Sequence, residues 1–264
     1  MYLYRMSFHF HKYQGTGNDF IMIDDRKTSF PQDDIAYIAH CCDRRFGIGA
    51  DGLILIQNHP TADFKMVYYN ADGRESTLCG NGARCTVAFA ASLGIIEKQT
   101  TFMAIDGLHK ATIEKDQTVS LRMHNVSDFR CEKDYTFLDT GSPHHVEMVA
   151  DLPQFNVLEK GRAIRQGAPY FEAGSNVNFV EKVNENTFAI RTYERGVEDE
   201  TLSCGTGATA VALAMHKTGI TSAQSIHIIV EGGQLTVSFE AGESAYTNID
   251  LQGPATFVFE GEIA

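Results

Sequence analysis

Cys79-Gly80-Asn81-Gly82-Ala83 and Cys204-Gly205-Thr206-Gly207-Ala208 carry one pattern twice. Each opens a helix-like stretch that stops at a matching glycine, Gly94-Ile95 in the first case and Gly219-Ile220 in the second. From Cys79 to Cys204, and again from Gly94 to Gly219, the offset is 125 residues. Tyr68 and Tyr193 keep it upstream, as do Glu75 and Glu200. A match from cap to stop without a gap marks an internal repeat, and a repeat decides the architecture before any single element is assigned. The chain therefore reads as two related halves, each with one cysteine at a helix N-terminus.

Around these two helices, strands dominate. Phe20–Ile23, Leu53–Ile56 and Lys65–Tyr69 are short apolar runs bounded by the glycine-rich turns Gly15-Thr16-Gly17-Asn18-Asp19, Gly47-Ile48-Gly49-Ala50-Asp51-Gly52 and Asn70-Ala71-Asp72-Gly73. Asp33–Arg45 has helical spacing. Thr101–Ile105, Lys110–Glu114 and Thr118–Met123 read as hairpins, and further strands run through 137–149, 178–193 and 225–259. The fold class expected is α+β (α/β-type): two pseudo-symmetric sheet-rich domains, each wrapped around a central helix. The N-terminal half is placed at 1–126, completed by the last strand near 253–264, and the C-terminal half at 127–252. Their boundary falls in the polar, poorly periodic stretch Asn125–Asp134.

Composition sets the outer limits. A chain of 264 residues with 43% hydrophobic and 21% charged residues suits two domains with real cores. A net charge of −12 argues against nucleic acid or an anionic membrane as partner. No apolar run is long enough to span a bilayer. The first residues alternate aromatic and basic side chains rather than forming a secretory signal, and offer two starts, Met1 and Met6. Six cysteines in a chain of this length are too sparse for a disulfide framework and point to free thiols in the cytoplasm. No cysteine spacing suggests zinc, and His9 and His11, though on one face of a strand, are not expected to bind metal.

A cysteine in the first turn of a helix meets unpaired amides and a partial positive charge, so its thiolate is stabilised below the ~8.5 of a free thiol. The neighbouring glycines let an anion such as a carboxylate approach the same amides. Two such thiols suit the inversion of a stereocentre, which needs one group to remove an α-proton from one face and another to return a proton on the opposite face. Three alternatives stand beside this reading. A Cys–His acyl transferase or hydrolase would use Cys79 and His144 and leave the second motif unexplained. A non-catalytic carboxylate-binding module would leave both thiols idle. A racemase or epimerase of the proline or hydroxyproline type would keep the chemistry and change the substrate.

The motifs from Gly15-Thr16-Gly17-Asn18-Asp19-Phe20 through Tyr193-Glu194-Arg195-Gly196 and Gly253-Pro254-Ala255, taken with the two cysteine motifs, resemble the diaminopimelate epimerase family along nearly the whole chain. The resemblance implies a cofactor-independent epimerase interconverting LL- and meso-2,6-diaminopimelate for lysine and peptidoglycan synthesis, usually a homodimer, with its active site in the cleft between two similar domains. It implies that Cys79 and Cys204 are the acid–base pair, with His144 beside the first and Glu194 beside the second. It also implies that the amides of Gly80, Asn81, Gly205 and Thr206 hold the α-carboxylate, and that Asn18, Asn70, Asn178 and Arg195 contact substrate. Arg195 would grip the distal carboxylate in a bidentate manner. One position departs from the family: Ser142 stands where an asparagine is usual before the Pro-His pair. The simpler roles are that Asn18 and Asn70 are turn residues, that His145 and not His144 is the histidine in question, and that Cys41, Cys42, Cys85 and Cys131 pack.

Overall fold

The computed structural model describes residues 7–263, so the choice between Met1 and Met6 lies outside the described residues. Two compact units divide the chain. One is formed by the residues up to Leu121 together with those from Pro254 onward, the other by Arg122–Gly253.

The first unit contains β1 (Phe8–Gly15), β2 (Asn18–Asp24), α1 (Ile35–Cys42), β3 (Gly52–Gln57), β4 (Phe64–Asn70), α2 (Gly80–Ser92), β5 (Gln99–Ala104), β6 (Gly107–Ile113) and β7 (Thr118–Arg122). The second contains β8 (Phe129–Cys131), β9 (Thr136–Asp139), β10 (Pro143–Met148), α3 (Val157–Gln166), β11 (Asn176–Lys182), β12 (Thr187–Glu194), β13 (Asp199–Thr201), α4 (Gly205–Lys217), β14 (Ser225–Val230), β15 (Gly233–Ala241) and β16 (Tyr246–Pro254). The last strand, β17 (Thr256–Ile263), returns to the first unit and pairs antiparallel with β1.

The repeat extends to strand pairing. Across the first unit the order β17-β1-β2-β3-β4-β5-β6-β7 runs antiparallel, antiparallel, parallel, antiparallel, parallel, antiparallel, antiparallel. Across the second, β8-β9-β10-β11-β12-β14-β15-β16 repeats that succession step for step. The strand that corresponds to β8 is thus supplied to the first unit from the C-terminus.

Each unit encloses one helix of 13 residues, α2 or α4. Both are rich in small and apolar residues, as a helix surrounded by sheet requires. Gly80–Ala90 of α2 and Ala208–Met215 of α4 are buried without a break. Their ends match as well. Gly94 (φ +68°) and Gly219 (φ +73°) take the left-handed conformation just past the helix. Gly94 N–H donates to Ala91 and Ile95 N–H to Ala90, while Gly219 N–H donates to His216 and Ile220 N–H to Met215. These are paired Schellman closures, and they account for both glycines.

Two elements differ from the sequence reading. The helix expected over Asp33–Arg45 is shorter, because Asp34 caps it by accepting from Tyr37 N–H at 3.0 Å and Asp43 turns extended. Helix α3 was not anticipated, although Asn156 and Glu159 carry its signal. Asn156 Oδ1 accepts from Glu159 N–H, and Asn156 Nδ2 donates to the Glu159 carboxylate at 2.8 Å. Cys131 is also corrected: it lies exposed on the short β8 and does not pack. All six cysteines are free thiols.

Candidate active site

In the first unit the site begins at the β1–β2 hairpin. Thr16 (φ +50°) and Gly17 (φ +87°) form its two-residue turn between the paired Gly15 and Asn18, the double positive φ of a type I′ turn. The positive φ falls on Thr16 and not on Asn18, so Asn18 is free of the turn and its side chain has other partners. Asn18 Nδ2 donates to Asp51 Oδ2 at 2.6 Å, which leaves Asn18 Oδ1 to accept from the Cys79 thiol and from Asn81 Nδ2, both at 3.4 Å. Cys79 is the N-cap of α2, extended at φ −97° and ψ 122°, and its sulfur makes no capping bond to the helix. Asn18, Cys79, Gly80 and Asn81 are therefore together at the start of α2.

A charge network stands behind Asn18. Lys12, buried, bonds Gly49 O and pairs with Asp19 Oδ2 at 2.8 Å; Arg44 joins Asp19 to Asp51 at 2.6 and 2.7 Å. Burial alone would raise the Asp19 carboxyl, but hydrogen bonds from Arg44 and Lys12 outweigh it and hold it at about 2. Asn70 lies at the exposed end of β4, in a turn where its carbonyl accepts from Gly73 N–H, and among the described residues no side-chain hydrogen bond occupies its amide.

In the second unit Cys204 is the N-cap of α4 (φ −121°, ψ 109°), with its sulfur 3.5 Å from Thr206 Oγ1. Thr140 Oγ1 donates to Thr206 O at 2.9 Å and fixes the first turn. Asn178 lies against that turn: a Cβ on Gly207 would fall 2.5 Å from its Oδ1 and 3.3 Å from Cys204 Sγ. Only glycine fits there.

Asn178 is fully buried and all its bonds are made. Nδ2 donates to His145 O at 2.9 Å, which fixes the amide, and also reaches His144 Nδ1 at 3.1 Å; Oδ1 accepts from Thr192 Oγ1 at 3.0 Å. Asn178 thus holds the His144 ring in place. Because an amide N–H can only donate, His144 Nδ1 accepts and the ring proton is on Nε2. Burial, with Arg195 nearby, takes the His144 imidazole down to about 3, so it is neutral. His144 is thus set to donate from Nε2, and that buried atom has no partner among the described residues. Strand alternation on β10 turns His145 the other way, to Tyr170 Oη at 2.9 Å and a stack on Tyr135.

Glu194 ends β12 and Arg195 follows it in the turn. Burial raises the Glu194 carboxyl against a hydrogen bond from Thr201 Oγ1 at 3.0 Å. A carboxyl raised in the folded state contributes stability that is present below the ordinary carboxyl range (~4.3) and lost as pH rises through its folded value. Glu194→Gln is accordingly expected to match the wild type in acid and to become the more stable of the two as pH rises to neutrality. Paired urea titrations at pH 4 and pH 7 check this, and a pH-independent difference would contradict it.

Arg195 is exposed, its Nη1 anchored on Ala173 O at 2.8 Å, and it pairs with no carboxylate among the described residues. Its backbone N–H is held by Asn176 Oδ1 at 2.8 Å, and Asn176 Nδ2 donates to Ser142 Oγ at 2.9 Å. Ser142 therefore acts on Arg195 through Asn176.

Sequence reasoning missed Asn176, Asp51 and Arg84. The Asn-x-Asn spacing of β11 was a signal for Asn176, and a lone arginine in the apolar α2 was one for Arg84. The only other cluster with metal-ligand chemistry among the described residues is His9, His11 and Glu260, with ligand atoms within 4.8 Å of one another. His9 and Glu260 are more than half exposed, and ion pairs of 3.6 and 3.1 Å account for the grouping.

Comparison with known proteins follows the same division. The sequence model of the family described as Diaminopimelate epimerase matches residues 10–127 and 136–258. The chain is 59% identical to the diaminopimelate epimerase of Flavobacterium psychrophilum, over 96% of this chain and 99% of that protein. It is 42% identical to that of Chlorobaculum tepidum, over 94% and 98%. Among solved structures it is similar to a Bacillus anthracis phenazine biosynthesis protein of the PhzF family, with TM-score 0.78, 15% identity and coverage of 98% and 100%. A hydroxyproline epimerase from Agrobacterium vitis gives TM-score 0.69 at 16% identity, covering 99% and 93%. At these identities the two structures share the fold alone.

Proposed function

The chain belongs to the diaminopimelate epimerase family, and from that premise we propose that it interconverts LL- and meso-2,6-diaminopimelate by transferring a proton between substrate and the thiols of Cys79 and Cys204. It is an isomerase, and by its family it serves lysine and peptidoglycan precursor synthesis. The observation that carries the mechanism is the duplicated cap: two 13-residue helices, each opened by a cysteine whose extended backbone leaves the sulfur off the helix amides.

In each turnover one sulfur, as thiolate, takes the α-proton and becomes a thiol. The electron pair left on carbon is delocalised into the α-carboxylate, where first-turn amides of Gly80, Asn81, Gly205 and Thr206 stabilise the developing charge. The other thiol gives its proton to the opposite face and becomes the thiolate, so the two exchange roles. The reaction requires both sulfurs to reach one α-carbon. His144, neutral with its proton on Nε2, is suited to donate a hydrogen bond to an anion formed there. Glu194, raised by burial, is suited to exchange a proton with a thiol. Arg195 takes the distal carboxylate, which a proline-sized substrate lacks.

The test is the wild-type protein with LL-diaminopimelate in deuterated water, followed by NMR for exchange at the α-carbon and by chiral analysis for the meso isomer. Exchange with inversion is expected, and no turnover of trans-4-hydroxy-L-proline. Turnover of the proline and not of diaminopimelate would transfer the chain to the second reading. Two further parts of the proposal are a homodimer, supported by the exposed Phe257, Val258 and Phe259 of β17, and a cytoplasmic setting, supported by six free thiols. No helix among the described residues is long and apolar enough to cross a membrane.

A further inference from the structure

Arg84, five residues after Cys79, is fully buried in the second turn of α2, the only arginine so placed among the described residues. A guanidinium stays charged in any protein, and a buried charge without a counter-charge is costly. Its acceptors here are all neutral: Asn81 Oδ1 at 2.9 Å, Thr16 Oγ1 at 3.3 Å and Gly80 O at 3.4 Å. Among the described residues no carboxylate pairs with it, and its Nε has no hydrogen-bond partner. Both Gly80 and Asn81, which it bonds, follow Cys79 directly.

The second unit has nothing equivalent. At the offset of 125 residues, Arg84 is replaced by Thr209, whose hydroxyl donates to Gly205 O at 3.0 Å. The two helices, matched in length, cap and closure, therefore differ by one buried cation. We propose that Arg84 is the built-in counter-charge for the anion formed at Cys79, a positioning residue that makes the two catalytic thiols unequal. This rests on the acid–base reading of Cys79 given above.

The surroundings agree. The thiols that Arg84 faces are Cys79 and Cys85, and burial pushes Cys85 up to about 12 in spite of the guanidinium. Cys79 is the half-buried thiol of the two, at the helix end. From β1, β2 and the loop before β3, the charged groups turned toward this end of α2 are Lys12, Asp19 and Asp51. Asp19 is tied to Lys12 and Arg44, and Asp51 to Arg44. His11 and Tyr13 of β1 meet the helix at Phe89, ten residues from Cys79, and Glu260 of β17 is engaged with His9 and His11. Tyr68 of β4 packs on Phe20, and His109 of β6 pairs with Asp106. Around Cys204, His144 is neutral, Glu194 is raised by burial and Arg195 is exposed.

The experiment is the rate of iodoacetamide alkylation at each cysteine against pH, read by peptide mass spectrometry on the whole protein without substrate. In the wild type the midpoint for Cys79 is expected below that for Cys204, with about tenfold faster alkylation of Cys79 at neutral pH, in line with an opposite charge close by. Arg84→Gln should slow Cys79 by about tenfold at neutral pH and leave Cys204 unchanged, and Arg84→Lys should restore most of the loss. Coincident or reversed wild-type midpoints would overturn the proposal without any variant having to fold. So would a folded Arg84→Gln protein with an unshifted Cys79 midpoint. Full epimerase activity in Cys79→Ala would instead refute the catalytic reading and leave the alkylation result standing.

Discussion

Cys79→Ala and Cys204→Ala are each expected to lower kcat/KM for LL-diaminopimelate by about 10³-fold or more, with the protein folded. A general acid or base contributes about 10²–10⁴ to a proton transfer, and inversion uses one of each in every turnover, so neither loss can be absorbed by the other. The effects should also be far from additive, because a site missing either sulfur already lacks the complete relay. Folding is expected to survive: neither sulfur caps its helix, and alanine keeps the Cβ beside Gly207. The measurement is the approach to the isomer equilibrium from both sides, with circular dichroism as the control. A Cys204→Ala protein within tenfold of wild type would end the two-thiol mechanism. The single-cysteine acyl-transfer reading would then return with Cys79 as nucleophile.

Arg195→Met is expected to cost about 10²-fold in kcat/KM for diaminopimelate. Hydrogen bonds to charged groups are worth about 1.5–3 kcal/mol net, and a bidentate pair has two of them. The loss should appear mainly as a higher KM, since the distal carboxylate is remote from the carbon that changes. The guanidinium is well placed for it: Nη1 is pinned on Ala173 O, and the backbone is held by Asn176, which Ser142 supports in turn. A free amino acid without the second carboxylate should be affected little by the same substitution. Equal losses on both substrates would assign Arg195 a structural role.

The features legible in the sequence are those carried by local chemistry at fixed spacing. The cysteine caps, the closing glycines and the offset between them need only neighbouring residues, and the structure shows their origin in N-cap and Schellman geometry. Helix α3 was equally legible through Asn156 and Glu159 and was passed over among polar residues. The charge network was not legible, because Lys12, Asp19, Arg44 and Asp51 meet only after three elements have packed. The partners of Asn178 were not legible for a different reason. Period-2 alternation puts Asn176 and Asn178 on one face but carries no information about partners: both are buried, and one amide holds the Arg195 backbone while the other lies behind His144. His144 itself was read for residue type, whereas its proton is decided by a partner 34 positions away.

The exchange of the last strand reverses the order in which the halves become complete. Residues Arg122–Gly253 form a continuous unit that can close as soon as they leave the ribosome. The unit that begins first lacks β17 until the final residues emerge, and until then β1 presents an unpaired edge on one side. The half carrying Cys79 is therefore the last to be sealed during synthesis.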